Sequence, residues 1–312
     1  MFEKSYVKDI SYRTFDKRAI YYSKEYVERD RYEVMKNFID RDNLALFSLK
    51  RMRKDNPLKV FLSKAITDKS YISSLDNGYT FPLYLYPDEN TQTNLLESKD
   101  EDKPTRTPNL DHQIVADIAK AIDLTFTNEK EATAGTFAPI DILDYIYAVL
   151  HSPTYCETYK EFLKIDFPRV PYPSDADTFW QLVALGSDLR QIHLLESPKL
   201  AVQVKALSVG YPINGDNCVT RKMTKTSIGF EPNEADNSIG KVWLNDTQYF
   251  TNVPLVAWEF YIGGYQPAQK WLKDRRDRTL DHHDIKHYMN IIASLSLTNE
   301  LMQQIDNINV TG

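Results

Sequence analysis

Four cations crowd into five positions where Lys50, Arg51, Arg53 and Lys54 follow an apolar run as LKRMRKDN. Like charges repel, so such a group is stable when solvated or when it faces an anion. A second group, Lys270, Lys273, Arg275, Arg276 and Arg278, surrounds Trp271 and meets only two aspartates. Its cations can bind phosphates, or they can satisfy the terminal carbonyls and dipole of the helix that carries them. Tyr265, Gln266 and Gln269 stand just before it; glutamine can pair bidentately with adenine, as arginine can with guanine. Arg221, Lys222 and Lys225 form a third group on an expected hairpin. Arg13, Lys17 and Arg18 form a fourth, mixed with Tyr12, Tyr21 and Tyr22. There the cations can hold phosphates while a ring lies against sugar or base, or Arg13 and Arg18 can pair with Asp16 and brace the fold.

Other chemistries find less material. His283 and His287, four apart on an expected helix, could share a metal with Asp284 nearby, and His282 adjoins them, but no further ligand is specified. Structural or surface roles are the plainer reading. Cys156 and Cys218 are the only cysteines, too few for a disulfide framework, and read as buried thiols in a reducing cytoplasm. Neither a PD-(D/E)xK nuclease nor a Ser-His-Asp arrangement can be put together.

The 312 residues suffice for one large domain or two modest ones. A net charge of −6 argues against a polyanionic partner until its distribution is considered. Residues 1–54 hold fourteen Lys/Arg against nine Asp/Glu, whereas residues 85–145 hold five against thirteen. A binding face needs local positive potential, not a basic whole. No run of 18 apolar residues exists, and the first residues, MFEKSYVKDI, lack the apolar core of a signal peptide.

The elements that must position these residues follow a strand–helix–strand–helix order, and the expected fold is α+β. It has mixed or antiparallel sheets, a central helical segment and a C-terminal helical segment. Residues 1–107 read as a mixed part with strands at RAIYY, NLALFSL, LKVFL and YTFPLYLYP, and a helix over 27–40. The polar stretch 88–107 reads as a loop. Residues 108–198 read as helical: one helix follows an Asn109/Asp111 cap, with Ile114, Ile118 and Ile122 recurring every four residues. Others follow over 140–150, 155–163 and 177–192. The PRVPYP segment must be extended, since three prolines exclude a helix. Residues 199–312 read as strands at LAVQVKAL, NCVTRKM, SIGFE and KVWL, then helices at VPLVAWEFYI and QPAQKWLKDR and over 280–308. These three parts can also form one integrated domain.

Several segments together resemble the C-terminal specificity region of the Type ISP restriction–modification family, whose single polypeptides join nuclease, helicase-like ATPase, adenine methyltransferase and target-recognition domains. They are YRTFDKRAIYYSKEYVERDRYEVMKNF (12–38), GYTFPLYLYPD (78–88), PIDILDYIYAVLHSPTYCETYKEFLKIDFPRVPYP (139–173), WLNDTQYFTNVPLVAWEFYIGGYQPAQKWLKDRRDRTL (243–280) and the HDIKHYMNII helix. The resemblance implies a target-recognition domain that reads double-stranded DNA for an adjoining adenine methyltransferase domain or subunit. S-adenosylmethionine, ATP and magnesium are then expected only for family domains outside this chain. An amino-methyltransferase needs an Asn/Asp-Pro-Pro-aromatic loop around the flipped base, yet Asn56-Pro57 is followed by Leu58. No GxxxxGK[ST] occurs, and Gly263-Gly264 lies between apolar helices instead of in a nucleotide-binding turn. The expectation is therefore a non-catalytic reader, and the start partway into the family pattern points to an excised portion or a truncated gene. An unrecognised catalytic centre and a docking domain with little DNA affinity of its own are the alternatives.

Overall fold

A computed structural model describes residues 3–54, 56–87, 106–212, 214–222, 229–308 and 310. The chain opens on an antiparallel hairpin of β1 (Val7–Arg13) and β2 (Asp16–Tyr21). The helix expected over 27–40 shrinks to one turn, α1 (Tyr32–Met35), followed by a 3-10 turn at Lys36–Phe38. The residue before it, Arg31, is left-handed at φ 52° and offers no side-chain acceptor to the first turn, so nothing starts the helix earlier. β3 (Ala45–Leu49) lies between β4 (Val60–Ser63) and the later β6 (Gly78–Pro82), antiparallel to both. β5 (Ile66–Thr67) joins β1 in parallel. β7 (Tyr84–Leu85) pairs with β8 (Thr107–Pro108); between them, residues 88–105 of the expected loop lie outside the described residues.

The central segment is helical, as the periodicity predicts. α2 (His112–Ile122) starts where Asp111 accepts from the amides of Gln113 and Ile114, and it buries Val115, Ile118 and Ile122. Two short parallel strands, β9 (Thr125–Phe126) and β10 (Thr136–Phe137), lead to α3 (Pro139–Val149). The single helix expected over 155–163 is instead two, α4 (Pro153–Thr158), capped by Ser152, and α5 (Lys160–Ile165), divided at Tyr159. α6 (Ala176–His193) packs on α3 so closely that a Cβ on Gly186 would stand 1.9 Å from the Asp144 carbonyl oxygen.

One strand reading is overturned: LAVQVKAL forms α7 (Lys199–Ala206). Its alternating Leu200, Val202 and Val204 suggest a strand, but Val202 is 67% exposed. Leu200, Val204 and Leu207 instead recur at helical spacing and pack against the core. Of the strands expected there, SIGFE and KVWL are present in β11 (Phe230–Pro232) and β12 (Ile239–Trp243), and an antiparallel third strand that the pattern did not mark, β13 (Tyr249–Pro254), pairs with β12. NCVTRKM contributes only an isolated bridge, Cys218 to Thr279, and residues 223–228 lie outside the described residues. α8 (Leu255–Glu259), α9 (Pro267–Lys273) and α10 (His282–Asp306) complete the chain. Asp281 and Asp284 form a capping box at the start of α10.

The main core draws buried side chains from Phe15 through Val310, so all parts of the chain meet in it. A smaller cluster of Ile10, Tyr22, Met35, Phe38, Ala45 and Ile66 lies beneath the N-terminal hairpin. The architecture is α+β.

Candidate nucleic-acid interface

Two of the sequence clusters, far apart in the chain, meet on one surface. A backbone clamp brings them together: Gly263 N donates to Leu58 O at 2.8 Å, and Gly264 N donates to Ile72 O at 2.7 Å. Asn56 Nδ2 donates to Gly263 O at 3.0 Å. Gly263 has φ 59°, and a Cβ there would stand 2.2 Å from the Ile72 carbonyl oxygen, so only glycine fits without a shift. The clamp sets the 50–57 loop against α9. Burial, and then the neighbouring Lys270 and Lys54 charges, hold the Lys273 ammonium below the usual lysine range. Lys54 also lies 5.5 Å over the ring of Tyr261. Lys270 pairs with Asp274, whereas Lys54, Lys273 and Arg51 have no ion-pair partner among the described residues.

The other side of the loop is pinned to α5. Met52 N donates to Lys164 O at 3.2 Å. Lys59, 1% exposed, sends its ammonium to the carbonyls of Lys50 at 3.3 Å, Leu163 at 2.6 Å and Asp166. A cation buried on the final carbonyls of a short helix replaces the missing intrahelical donors, though burial lowers its pKa to about 8. Lys160 and Lys164 line the crevice beneath the loop together with Met52 and Lys54. Their exposed i,i+3 pairs with Glu157 and Glu161 are weak in water. Lys50 lies 3.9 Å from Asp166 and 5.8 Å over Phe167, and Arg53 lies 3.7 Å from Asp76. The result is a cationic stripe from Lys50 across the loop to α9.

Several other sequence candidates are occupied inside the protein. Tyr265 donates its hydroxyl to Tyr71 O and accepts from Thr14 N at 3.3 Å; burial raises its pKa. Gln269 is buried, its amide donating to Trp258 O at 3.2 Å. Arg275 is buried over the Trp271 ring and bonds Asp16 Oδ1 at 2.9 Å. Gln266 is half-buried at the N-cap of α9. Arg13 pairs with Asp68, not with Asp16, at 3.0 Å, and Arg18 pairs with Asp16 at 2.9 Å. Both guanidiniums lie over the Tyr12 ring, at 4.0 and 3.8 Å. Lys17, Lys222, Arg276 and Arg278 are exposed, and Arg276 lies 3.6 Å from Asp277. Arg221 lies 3.9 Å from Asp246 and 5.8 Å over Trp243. Lys225 lies outside the described residues.

A cleft of about 630 Å³ between the N-terminal hairpin and α10 includes Lys17, Lys64 and Lys286. Asp16, Asp281 and Asp284 share its walls, so it lacks the one-signed field that a phosphate groove needs. His287 there donates from Nε2 to Phe15 O at 2.7 Å. Among the described residues no group of three or more His, Cys, Asp or Glu is placed to hold a metal ion. Cys156 is buried, and burial pushes its thiol up to about 12, while Cys218 is only half-buried. Sequence reasoning missed Lys160, Lys164 and Tyr261. Their nearest signal was the i,i+4 lysine spacing, which ordinarily marks a solvated helix face.

A family model described as the Type ISP C-terminal specificity domain matches residues 1–304. No curated protein matches the sequence. Among solved structures, the chain is similar to the ATP-dependent Type ISP restriction-modification enzyme LlaBIII bound to DNA. Identity is 16%, over 100% of this chain and 19% of that one, with a TM-score of 0.68. A nuclease-deletion mutant of the Type ISP enzyme LlaGI, in complex with a DNA substrate mimic, is 17% identical over 97% of this chain and 21% of its own, with a TM-score of 0.62. A DrdV–DNA complex is 16% identical over 100% of this chain and 29% of its own, with a TM-score of 0.67. At these identities the likeness is one of fold. The chain spans less than a third of the length of each.

Proposed function

Because the chain belongs to the Type ISP C-terminal specificity domain family, we propose that it is a sequence-specific reader of double-stranded DNA that positions a target for an adjoining adenine methyltransferase domain. The observation that carries this reading is the meeting of Lys54 with Lys270 and Lys273, whose mutual repulsion a phosphate backbone would relieve. Arg51, Lys50 and the lysines of α5 extend the same surface. Phosphate contacts of this kind fix register, while base edges carry the sequence information. Tyr265, Gln269 and Arg275 shape the scaffold in this reading instead of meeting bases. Support for DNA over a purely docking role comes from the three similar structures, each described as holding DNA or a DNA mimic.

The domain performs no catalysis in this reading, and S-adenosylmethionine, ATP and magnesium serve other parts of the enzyme. A cytoplasmic setting follows from that role; among the described residues no helix is long and apolar enough to cross a membrane. Gel-shift titration with random duplex pools across a salt series tests the proposal. Binding that selects a sequence and weakens with salt is expected. Absence of binding at low salt, or indifference to salt, overturns it. Methyl transfer from a labelled donor, or magnesium-dependent cleavage, by this chain alone would overturn the non-catalytic part.

A further inference from the structure

Beside the cationic stripe stands a ridge of three aromatic side chains. Tyr79 and Phe81 alternate on β6, so they share one face, and they are 46% and 42% exposed. β6 is the terminal strand of its sheet. Phe167, from the segment after α5, stands edge-on to both rings, with centroids 5.2 and 5.6 Å away and interplanar angles of 80° and 83°. Ile165, 63% exposed, ends the helix just before it. Single apolar residues on a surface need no explanation, but contiguous ones do. The edge-on packing holds the rings in place without covering them.

The ridge is continuous with the stripe. Lys50 stands 5.8 Å over the Phe167 ring and begins the loop whose far end, Lys54, faces α9. The centre of a protein–protein contact is depleted of charge, whereas an apolar ridge flanked by cations matches a nucleic-acid groove. There aromatic and aliphatic side chains touch thymine methyls or insert between base steps while lysines hold the adjacent phosphates. Rings with two rotatable bonds also lose little entropy on docking. We infer that Tyr79, Phe81 and Phe167 form an apolar wedge that enters a groove of duplex DNA and inserts at a base step next to the phosphates held by the Lys50–Lys54 loop. The inference rests on the reading of the chain as a DNA reader, and it assigns the base contact to residues that carry no charge.

The wedge and the stripe differ in their response to salt, because only cations release counterions from DNA. The experiment uses a duplex selected by the unaltered chain from a random pool, prepared also with 2-aminopurine at successive positions. The Tyr79→Ala/Phe81→Ala chain should bind it roughly tenfold or more weakly, with the slope of log K against log salt unchanged. The unaltered chain should raise 2-aminopurine fluorescence at one step, and the double variant should not. Phe81→Leu, which keeps an apolar side chain, should retain part of the affinity, and thermal melting of each variant separates a missing wedge from a failed fold. Folded variants that bind within twofold of the original, a weakened affinity accompanied by a shallower salt slope, or no fluorescence change at any position would overturn the wedge, the first leaving the ridge to a protein partner. Failure of the unaltered chain to select any duplex would instead bring down the DNA-reader reading on which the wedge depends.

Discussion

Arg275 places its Nη2 2.9 Å from Asp16 Oδ1, joining residues 259 apart in sequence and tying the turn after α9 to the N-terminal hairpin. Asp16 is 3% exposed. Burial alone would raise its pKa, but the Arg275 and Arg18 guanidiniums outweigh that and hold it below the usual carboxylate range. Removing Arg275 leaves a buried carboxylate with one half-exposed partner. Arg275→Ala is therefore expected to destabilise the fold by roughly 3–5 kcal/mol. Chemical denaturation checks it; a loss below about 1 kcal/mol would mean that the pair is dispensable.

Acid should unfold the chain through its buried histidines. Thr298 donates to Ser294 O at 2.7 Å, so its oxygen accepts from His193 Nε2 at 2.8 Å, and His193 Nδ1 accepts from the Tyr147 hydroxyl at 2.6 Å. That pattern requires a neutral ring, and burial, with the nearby His151, holds the His193 pKa well below the ordinary value. Burial likewise lowers His151 from 6.5 to about 4, against the opposing bond to the Tyr147 carbonyl. Between those values the unfolded chain binds a proton that the folded chain refuses, so stability falls as the pH drops from 6.5 toward 4. His151 alone accounts for about 3 kcal/mol at the lower end. Melting temperatures across this window should decline, and His151→Phe should decline less steeply; equal slopes would refute the assignment.

The stripe is separable from the scaffold by salt dependence. Lys54→Ala, Lys270→Ala and Lys273→Ala together should weaken binding to all duplexes at low salt. They should also reduce the log K against log salt slope by about 0.9 for each phosphate no longer neutralised. Gln269→Ala, which removes a bond to the Trp258 carbonyl, should lower the melting temperature and leave the slope alone. Identical slopes in the triple variant would place the phosphates elsewhere.

Gly263→Ala tests the clamp. Its left-handed backbone and the Ile72 carbonyl 2.2 Å from the added Cβ make the substitution costly, roughly 1–3 kcal/mol. Because the strain falls where the 50–57 loop meets the segment before α9, DNA affinity should drop at temperatures where the variant is still fully folded. Unchanged affinity in a folded variant would show that the loop holds its place without the clamp.

Local signals were legible in the sequence, and long-range ones were not. The Asp111 cap and the apolar spacing marked α2, because both act within a turn of the chain. Even there the four-residue isoleucine series drifted off the buried face: Ile114 is 44% exposed, while Val115 is buried. α7 was misread because Leu200, Val202 and Val204 fit either period, and only packing against the core decides. The cation clusters were plain as composition, yet their burial was not. Arg275 turns inward to an aspartate of the first hairpin, and Lys54 faces lysines that nothing local could reveal.

The bond between Asn56 and Gly263 spans 207 residues. During synthesis Lys54 therefore leaves the ribosome long before α9 exists, and the two halves of the cationic surface cannot meet until the segment from Gly263 through α9 has emerged. Pairings so distant close slowly and late in folding. A nascent chain that stops short of Gly263 carries Lys50, Arg51, Arg53 and Lys54 without Lys270 and Lys273, so only half of the cationic surface exists. The assembled surface is thus a mark that the segment through α9 has been made and has folded back onto the loop.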